Sequence, residues 1–297
     1  MSTRVMRALK THLIPWIELA RLPAFLSAWS NILAAHLIAT GGSPAWRLLL
    51  LQLGIATCLY WAGMILNERF DQAMDRREWP RPPANPVAPG AAWAAGFGLL
   101  TGGILLGALA GRGPLLIASL LATVMLGYDL YLKRGPLGPP AMALCRWLTW
   151  LLGLSVAAVR LPELLLALPV LLYTMSMTLL SRGENEDCNR RAVRRATVAL
   201  VFALAAALAL YPLGILHDPY ALALTAVTGA LLVRRLLRLA DDPTVPRVRA
   251  SVDFMLLCMI PLDALLLGGA GQRLAALALL LLLVPGWFLA WWVQVTT

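Results

Sequence analysis

Residues 46–75 read WRLLLLQLGIATCLYWAGMILNERFDQAMD. The first two-thirds is an apolar run long enough for a spanning helix, which needs about 20 such residues. The end is polar, and its polar groups recur at every fourth position as Asn67, Asp71 and Asp75. Positions four apart stack on one face of an α-helix. A helix leaving the membrane here carries a stripe of one amide and two carboxylates, with Glu68 and Glu78 beside it. Like charges one turn apart destabilise a helix, and a basic residue three or four positions away is the usual remedy. Around Asp71 and Asp75 those positions hold Asn67, Glu68, Gln72, Met74, Glu78 and Trp79, while Arg69, Arg76 and Arg77 project elsewhere. Two readings follow. The stripe takes a hard cation such as Mg2+, which prefers oxygen ligands and is often shared with phosphates. Alternatively, it is a solvated helix end whose acids meet basic residues from other segments.

The rest of the chain agrees with a membrane setting. Of 297 residues 60% are apolar and 13% charged, and the mean hydropathy is +0.75. Such values exclude an ordinary soluble domain. The net charge of +10 does not point to nucleic acid, because the basic residues sit in short connections between apolar segments. Ten segments qualify as candidate spans: 16–39, 46–68, 91–111, 114–132, 140–159, 162–181, 192–213, 219–239, 250–269 and 273–294. The ninth is interrupted by Asp253, Pro261 and Asp263. Basic residues alternate between the connections. One side receives Arg4, Arg7 and Lys10, the arginines of 69–81, Lys133 and Arg134, those of 182–195 and those of 234–249. The other receives Arg47, Arg112, Arg160 and Arg273. By the positive-inside rule the first side is cytoplasmic, and with it the N-terminus and the acidic stripe. No cleavable signal peptide, repeat or separate soluble domain is evident, so residues 1–297 read as one integral-membrane domain.

Further polar groups gather on the same side. The 69–90 connection contains Pro80, Pro82, Pro83, Pro86 and Pro89 and closes with Gly90, a shaped loop over the stripe. A second acidic group, Glu184-Asn185-Glu186-Asp187, follows Arg182. Two acidic clusters facing each other across a bundle could hold metal around a diphosphate. Equally, Asp187 could cap the next helix while its neighbours pair with Arg190, Arg191, Arg194 and Arg195. Asp129 and Lys133, four apart, suit a helical ion pair, and Lys133 is also placed to reach a diphosphate. Arg21 and Arg146 either snorkel to the interface or point inward to an anion. Asp253 and Asp263 should face protein. Cys58, Cys145, Cys188 and Cys258 show no CxxC pairing, and His12, His36 and His217 lack metal-ligand spacing.

Asn67-x-x-x-Asp71-x-x-x-Asp75, the proline-rich loop and the second polar loop four segments later resemble the UbiA superfamily of intramembrane prenyltransferases. The stretch from Tyr128 to Pro139, then Cys145-Arg146 and Leu180 to Glu184, is similar to its divergent EboC-type branch. The resemblance implies an all-α polytopic bundle of nine or ten transmembrane helices around a central cavity, in a bacterial inner membrane. It implies a Mg2+-dependent transfer of an isoprenoid from a prenyl diphosphate to a small aromatic or lipid-like acceptor, with no obligate protein partner. Carried over, Asn67, Asp71, Asp75, Glu184 and Asp187 hold metal. Arg21, Arg81, Lys133, Arg134 and Arg182 hold diphosphate, and Asp71, Asp75 and Lys133 are catalytic. Three departures stand out. Glu68 replaces the family's Asp, Asn85-Pro86 replaces an Arg-Pro, and the second motif lacks its Asp-x-x-x-Asp spacing. The last leaves room for other outcomes: a UbiA-fold protein that binds or moves an apolar metabolite, or a terpene cyclase.

Overall fold

The computed structural model describes residues 14–19, 22–78, 87–182 and 190–288, and all regular structure among them is helical. In chain order the helices are α1 (Ile14–Leu19), α2 (Leu22–Ala39), α3 (Trp46–Glu78) and α4 (Pro89–Ala110). Then come α5 (Arg112–Gly127), a π-helical turn (Tyr128–Leu132) and α6 (Gly138–Leu154). The remainder are α7 (Leu161–Leu166), α8 (Leu168–Ser181), α9 (Arg190–Ala209), α10 (Tyr220–Asp241), α11 (Val245–Gly269) and α12 (Arg273–Leu280).

Each of the ten apolar segments expected from hydropathy contains a helix. Among the described residues six are long and apolar enough to cross a membrane: Trp46–Ala73, Pro89–Ala110, Arg112–Leu132, Leu161–Ser181, Arg190–Ala209 and Val245–Gly269. Phe25–Ala39 and Arg273–Phe288 are shorter apolar helices. One boundary differs from the expectation. Helix α3 carries the acidic stripe, as the four-residue spacing predicts, and runs into the stretch read as the 69–90 connection as far as Glu78, for 33 residues or about 50 Å. Nothing in 68–78 breaks a helix, the first proline being Pro80. The acidic stripe is therefore helical.

Sequential neighbours pack in turn from α2 to α6, and α8 through α12 continue the circuit. Helix α11 returns to α2, which also packs on α6, so the bundle closes on itself. Close approach is set by small residues. On α4, a Cβ at Gly96 would lie 2.6 Å from Leu66 Cδ2. On α6, a Cβ at Gly153 would lie 2.6 Å from Ala35 Cβ and 2.9 Å from the Ile32 carbonyl oxygen. Only glycine lets α6 and α2 meet this tightly, as in other helix pairs packed in lipid.

Large apolar side chains such as Leu105, Leu109, Leu116, Leu120 and Phe202 cover the outside. Polar side chains turn inward, among them Ser27, Ser30, Asn31, Gln52, Asp129 and Asp263. Polar cross-links join the helices: Trp29 Nε1 donates to Thr57 Oγ1 at 2.8 Å, Gln52 Nε2 to the Leu152 carbonyl at 2.7 Å, and Tyr173 Oη to the Met255 carbonyl at 2.8 Å. His36 belongs to this scaffold. Its Nδ1 is 2.7 Å from Gln52 Oε1, and its Nε2 accepts from the Ala45 amide. Without water to satisfy them, buried polar groups must find such partners.

Candidate functional site: a polar mouth over an intramembrane cavity

A cavity of about 870 Å³ lies inside the bundle. Its polar mouth is built from α3, which supplies Asn67, Glu68 and Asp71, and from the π-helical turn, which supplies Asp129 with Lys133 just beyond it. Leu26, Ala56, Leu59, Leu121 and Ile260 contribute apolar wall. That volume is on the scale of a small-molecule site.

Asn67 and Asp71 project together, as their four-residue spacing predicts. Both meet Lys133. Its Nζ donates to Asn67 Oδ1 at 2.7 Å and forms an ion pair with Asp71 Oδ2. The counter-charge missing from α3 is thus supplied by a segment more than 60 residues away. The helical ion pair between Asp129 and Lys133 is not formed. Residues 128–132 form a π-helical turn, in which the Lys133 amide bonds the Tyr128 carbonyl, five residues back. The wider turn takes Lys133 off the face of Asp129 and aims it at α3. Asp129 is left 3% exposed beside the cavity, and its Oδ2 has no hydrogen bond among the described residues.

Arg182, at the end of α8, reaches back under this turn. Its Nη2 donates to the Lys133 carbonyl at 2.8 Å and also to the Gly135 carbonyl. The guanidinium braces the backbone that carries Lys133. Arg134 is exposed at the surface. Glu68 lines the cavity and accepts from Gln72 Nε2 at 2.9 Å. Arg69, on another face of α3, is buried at 2% exposure, and its guanidinium has no hydrogen bond among the described residues. The side chains of Arg21, Asp75, Arg81, Glu184 and Asp187 lie outside the described residues, as does Cys188.

Deeper in the cavity is a second polar group that spacing did not bring together. Arg146, from α6, donates to Ser27 Oγ at 3.1 Å and to Asn31 Oδ1 at 3.3 Å, both on α2. Asn31 Nδ2 in turn donates to both oxygens of Asp263 at 2.8 Å. Asp263, on α11, is completely buried. It also accepts from Ser30 Oγ and from Trp150 Nε1, the latter at 2.9 Å. Asp263 thus faces protein, as its cost in lipid requires. Asp253, nearly three turns earlier, lines the cavity with Arg249.

Residues 28–257 of this helical chain match the UbiA prenyltransferase family. The chain belongs to that family. It is an integral multi-pass membrane protein with the UbiA fold. Solved structures agree on the fold. A digeranylgeranylglyceryl phosphate synthase is similar with a TM-score of 0.66 at 20% identity, over 86% of this chain and 97% of that one. A UbiA homologue from Aeropyrum pernix K1 is similar at 0.56 and 19%, over 84% and 96%. A UbiA homologue from Archaeoglobus fulgidus bound to DMAPP and Mg2+ is similar at 0.60 and 13%, over 89% and 98%. No curated protein matches the sequence.

The described residues of the mouth offer oxygen donors, the ligand type a hard divalent cation takes. Among the described residues no group of three or more His, Cys, Asp or Glu side chains is arranged to hold a metal. Nevertheless, a cationic head group is already seated between the Asn67 and Asp71 oxygens, so the two point at a common position. Both are oxygen donors of the kind Mg2+ prefers.

Proposed function

We propose that this UbiA-family protein is a Mg2+-dependent intramembrane prenyltransferase. It moves an isoprenoid group from a prenyl diphosphate to a small aromatic or lipid-like acceptor. The observation that carries the reading is the convergence of Asn67, Asp71 and Lys133 at the polar mouth of a cavity with a largely apolar wall. A prenyl diphosphate has matching parts, a polyanionic head and a hydrocarbon tail. The A. fulgidus homologues bound to Mg2+ with DMAPP or GPP support the substrate class.

In this reading Asn67, Asp71 and Asp75 hold the metal, with Glu184 and Asp187 from the second acidic loop. Bound Mg2+ supplies charge neutralisation on the diphosphate oxygens. Lys133, swinging from Asp71 to the diphosphate, adds a positive charge where negative charge builds up on the leaving oxygen. Arg182 keeps Lys133 in place by holding its backbone, and Arg21, Arg81 and Arg134 contribute further positive charge. The C–O bond breaks with its electron pair leaving on the diphosphate. The apolar walls exclude water from the allylic cation. The acceptor attacks that cation and then loses a proton. In this reading the bundle spans the bacterial inner membrane nine or ten times; the alternation of basic residues supports a cytoplasmic N-terminus and cytoplasmic acidic motifs.

The test is binding of a non-hydrolysable geranyl diphosphate analogue to the purified full chain, with and without Mg2+, beside Asp71→Asn. Binding that needs both Mg2+ and Asp71 is expected. Folded wild-type protein that binds no analogue in Mg2+ would sink the prenyl-diphosphate reading. The chain would then be a UbiA-fold protein acting on another apolar molecule.

A further inference from the structure

Helix α9 opens on Arg190-Arg191-Ala192-Val193-Arg194-Arg195, four cations in six residues, with no acidic residue in its first turn. That is the wrong charge for a helix N-terminus, where the macrodipole is positive. It also sets like charges three and four positions apart, which destabilises a helix. Several arginines at this end of the bundle are taken up by the protein itself. Arg190 Nη2 donates to the Asp241 carbonyl at 3.0 Å. Arg235 Nη2 donates to the Ala250 carbonyl at 2.9 Å, and its guanidinium lies over the Phe254 ring. Arg247 pairs with Asp242. Arg194 and Arg195 are exposed, and neither has an ion pair among the described residues. With Arg191 they border a groove of about 710 Å³ between α8 and α9.

Beyond the arginines the groove is apolar. Leu172, Met175 and Leu179 recur three and four positions apart along α8 and form one wall. Val198, Ala199 and Phe202 form the other. Val198 and Phe202 are 48% and 61% exposed, so the groove opens on the outside of the bundle. Another face of α8, with Met177, Thr178 and Ser181, lines the central cavity. From Arg191 to Phe202 is eleven residues, about 16 Å along α9. The hydrocarbon core of a bilayer is about 30 Å thick, so the groove is as deep as one leaflet. Its charge lies wholly at one end. A free phosphate has no use for the apolar walls, and a neutral lipid has none for the arginines.

We propose that the groove between α8 and α9 seats one anionic glycerophospholipid of the surrounding bilayer. Its phosphate lies against Arg194 and Arg195, with Arg191 beside them, and an acyl chain runs between the apolar walls. Guanidinium groups take phosphate oxygens through paired, charge-assisted hydrogen bonds. Basic pockets between transmembrane helices on the cytoplasmic side suit such head groups. The lipid counters the repulsion at the start of α9 and ties together the two helices that flank the second acidic loop. The site is separate from Asn67, Asp71 and Lys133 and does not depend on the prenyltransferase reading.

The test is native mass spectrometry of the full chain in detergent, titrated with dioleoylphosphatidylglycerol or dioleoylphosphatidylcholine. The two probes share their chains and differ in head-group charge. A basic residue beside an anionic lipid is worth roughly fivefold in binding, so wild type should hold the first phosphatidylglycerol at least about tenfold more tightly. Arg194→Gln/Arg195→Gln should abolish the preference and leave Mg2+-dependent binding of the geranyl diphosphate analogue unchanged. Arg234→Gln/Arg238→Gln removes two exposed arginines from the same end of the bundle, outside the groove, and should keep the preference. Ala199→Trp fills the groove, spares the arginines and should weaken phosphatidylglycerol retention. Excess sn-glycerol 3-phosphate, the anion without its chains, should not displace the lipid. Equal binding of the two lipids by wild type overturns the proposal. So does a preference that survives in folded Arg194→Gln/Arg195→Gln protein, or one lost equally in both double variants, which marks a diffuse effect of net charge. Unchanged retention in folded Ala199→Trp protein, or displacement by sn-glycerol 3-phosphate, overturns it in favour of a soluble-anion site. A lipid preference in wild type that binds no analogue supports this inference and removes the prenyltransferase reading alone.

Discussion

Replacing Lys133 by methionine should change two affinities in opposite directions. In the free protein the Lys133 ammonium sits between Asn67 Oδ1 and Asp71 Oδ2, the oxygens assigned to the metal. A divalent cation can use them only by displacing it. The Lys133 and Asp71 side chains are 27% and 31% accessible, so the pair is neither dry nor fully solvated. A hydrogen bond to a charged group contributes ~1.5–3 kcal/mol, and partial solvation reduces this to roughly 1–2 kcal/mol. Lys133→Met removes that competition and should tighten Mn2+ or Mg2+ binding to the ligand-free protein by roughly 5–30-fold. The same change removes a cation from the diphosphate, so the geranyl diphosphate analogue should bind roughly tenfold more weakly. Mn2+ titration followed by electron paramagnetic resonance reads the first effect, and calorimetry in saturating Mg2+ reads the second. Metal affinity that is unchanged or weaker in Lys133→Met would refute the placement of the cation between Asn67 and Asp71. A purely structural ion pair also predicts weaker metal binding, through disorder of Asp71, so the sign of the change separates the two accounts.

Asp263→Ala should be among the most damaging single changes, because it strands the Asn31 amide and the Trp150 indole N–H as unpaired donors and leaves Arg146 without its indirect counter-charge. A loss of about 3–5 kcal/mol is expected for breaking a buried charged network, read as a lower melting temperature in detergent. A shift no larger than that of an exposed control substitution would count against the network. Gly153→Ala should cost about 1–3 kcal/mol by overpacking, since the new Cβ meets the Ile32 carbonyl oxygen at 2.9 Å. The matched control is Gly127→Ala in α5, where nothing lies within 4 Å of the added carbon, and it should be neutral or slightly stabilising. Equal melting temperatures for the two variants would show that α2 and α6 do not need the close contact.

Much of the architecture is legible because membrane helices advertise themselves locally. An apolar run of spanning length has few alternatives to a helix in lipid, and each of the ten such runs contains one. The 69–90 connection begins later than read, for an equally local reason. The apolar signal ends near residue 68, but helix formation does not need it, so α3 continues to Glu78. The pairing of Asp129 with Lys133 failed for a different reason. Four-residue spacing implies a common face only in an α-helix, and residues 128–132 form a π-helical turn.

The sequence by itself determined that the chain is a polar-mouthed membrane bundle. Periodicity four in residues 67–75 put Asn67 and Asp71 on one face, and hydropathy put that face at the end of an apolar helix. These are properties of single helices, readable from spacing. Only the tertiary structure decided which groups meet across helices. Lys133 comes to Asp71, and Arg182 comes beneath Lys133, through the order in which helices pack. Asn31 and Asp263 are 232 residues apart and meet because α11 closes the circuit onto α2. Gly153 holds α6 against α2 beside them. Arg146 read equally well as a snorkelling side chain or an inward one. The partners that turn it inward are placed by packing, and no periodicity in a single segment encodes such contacts.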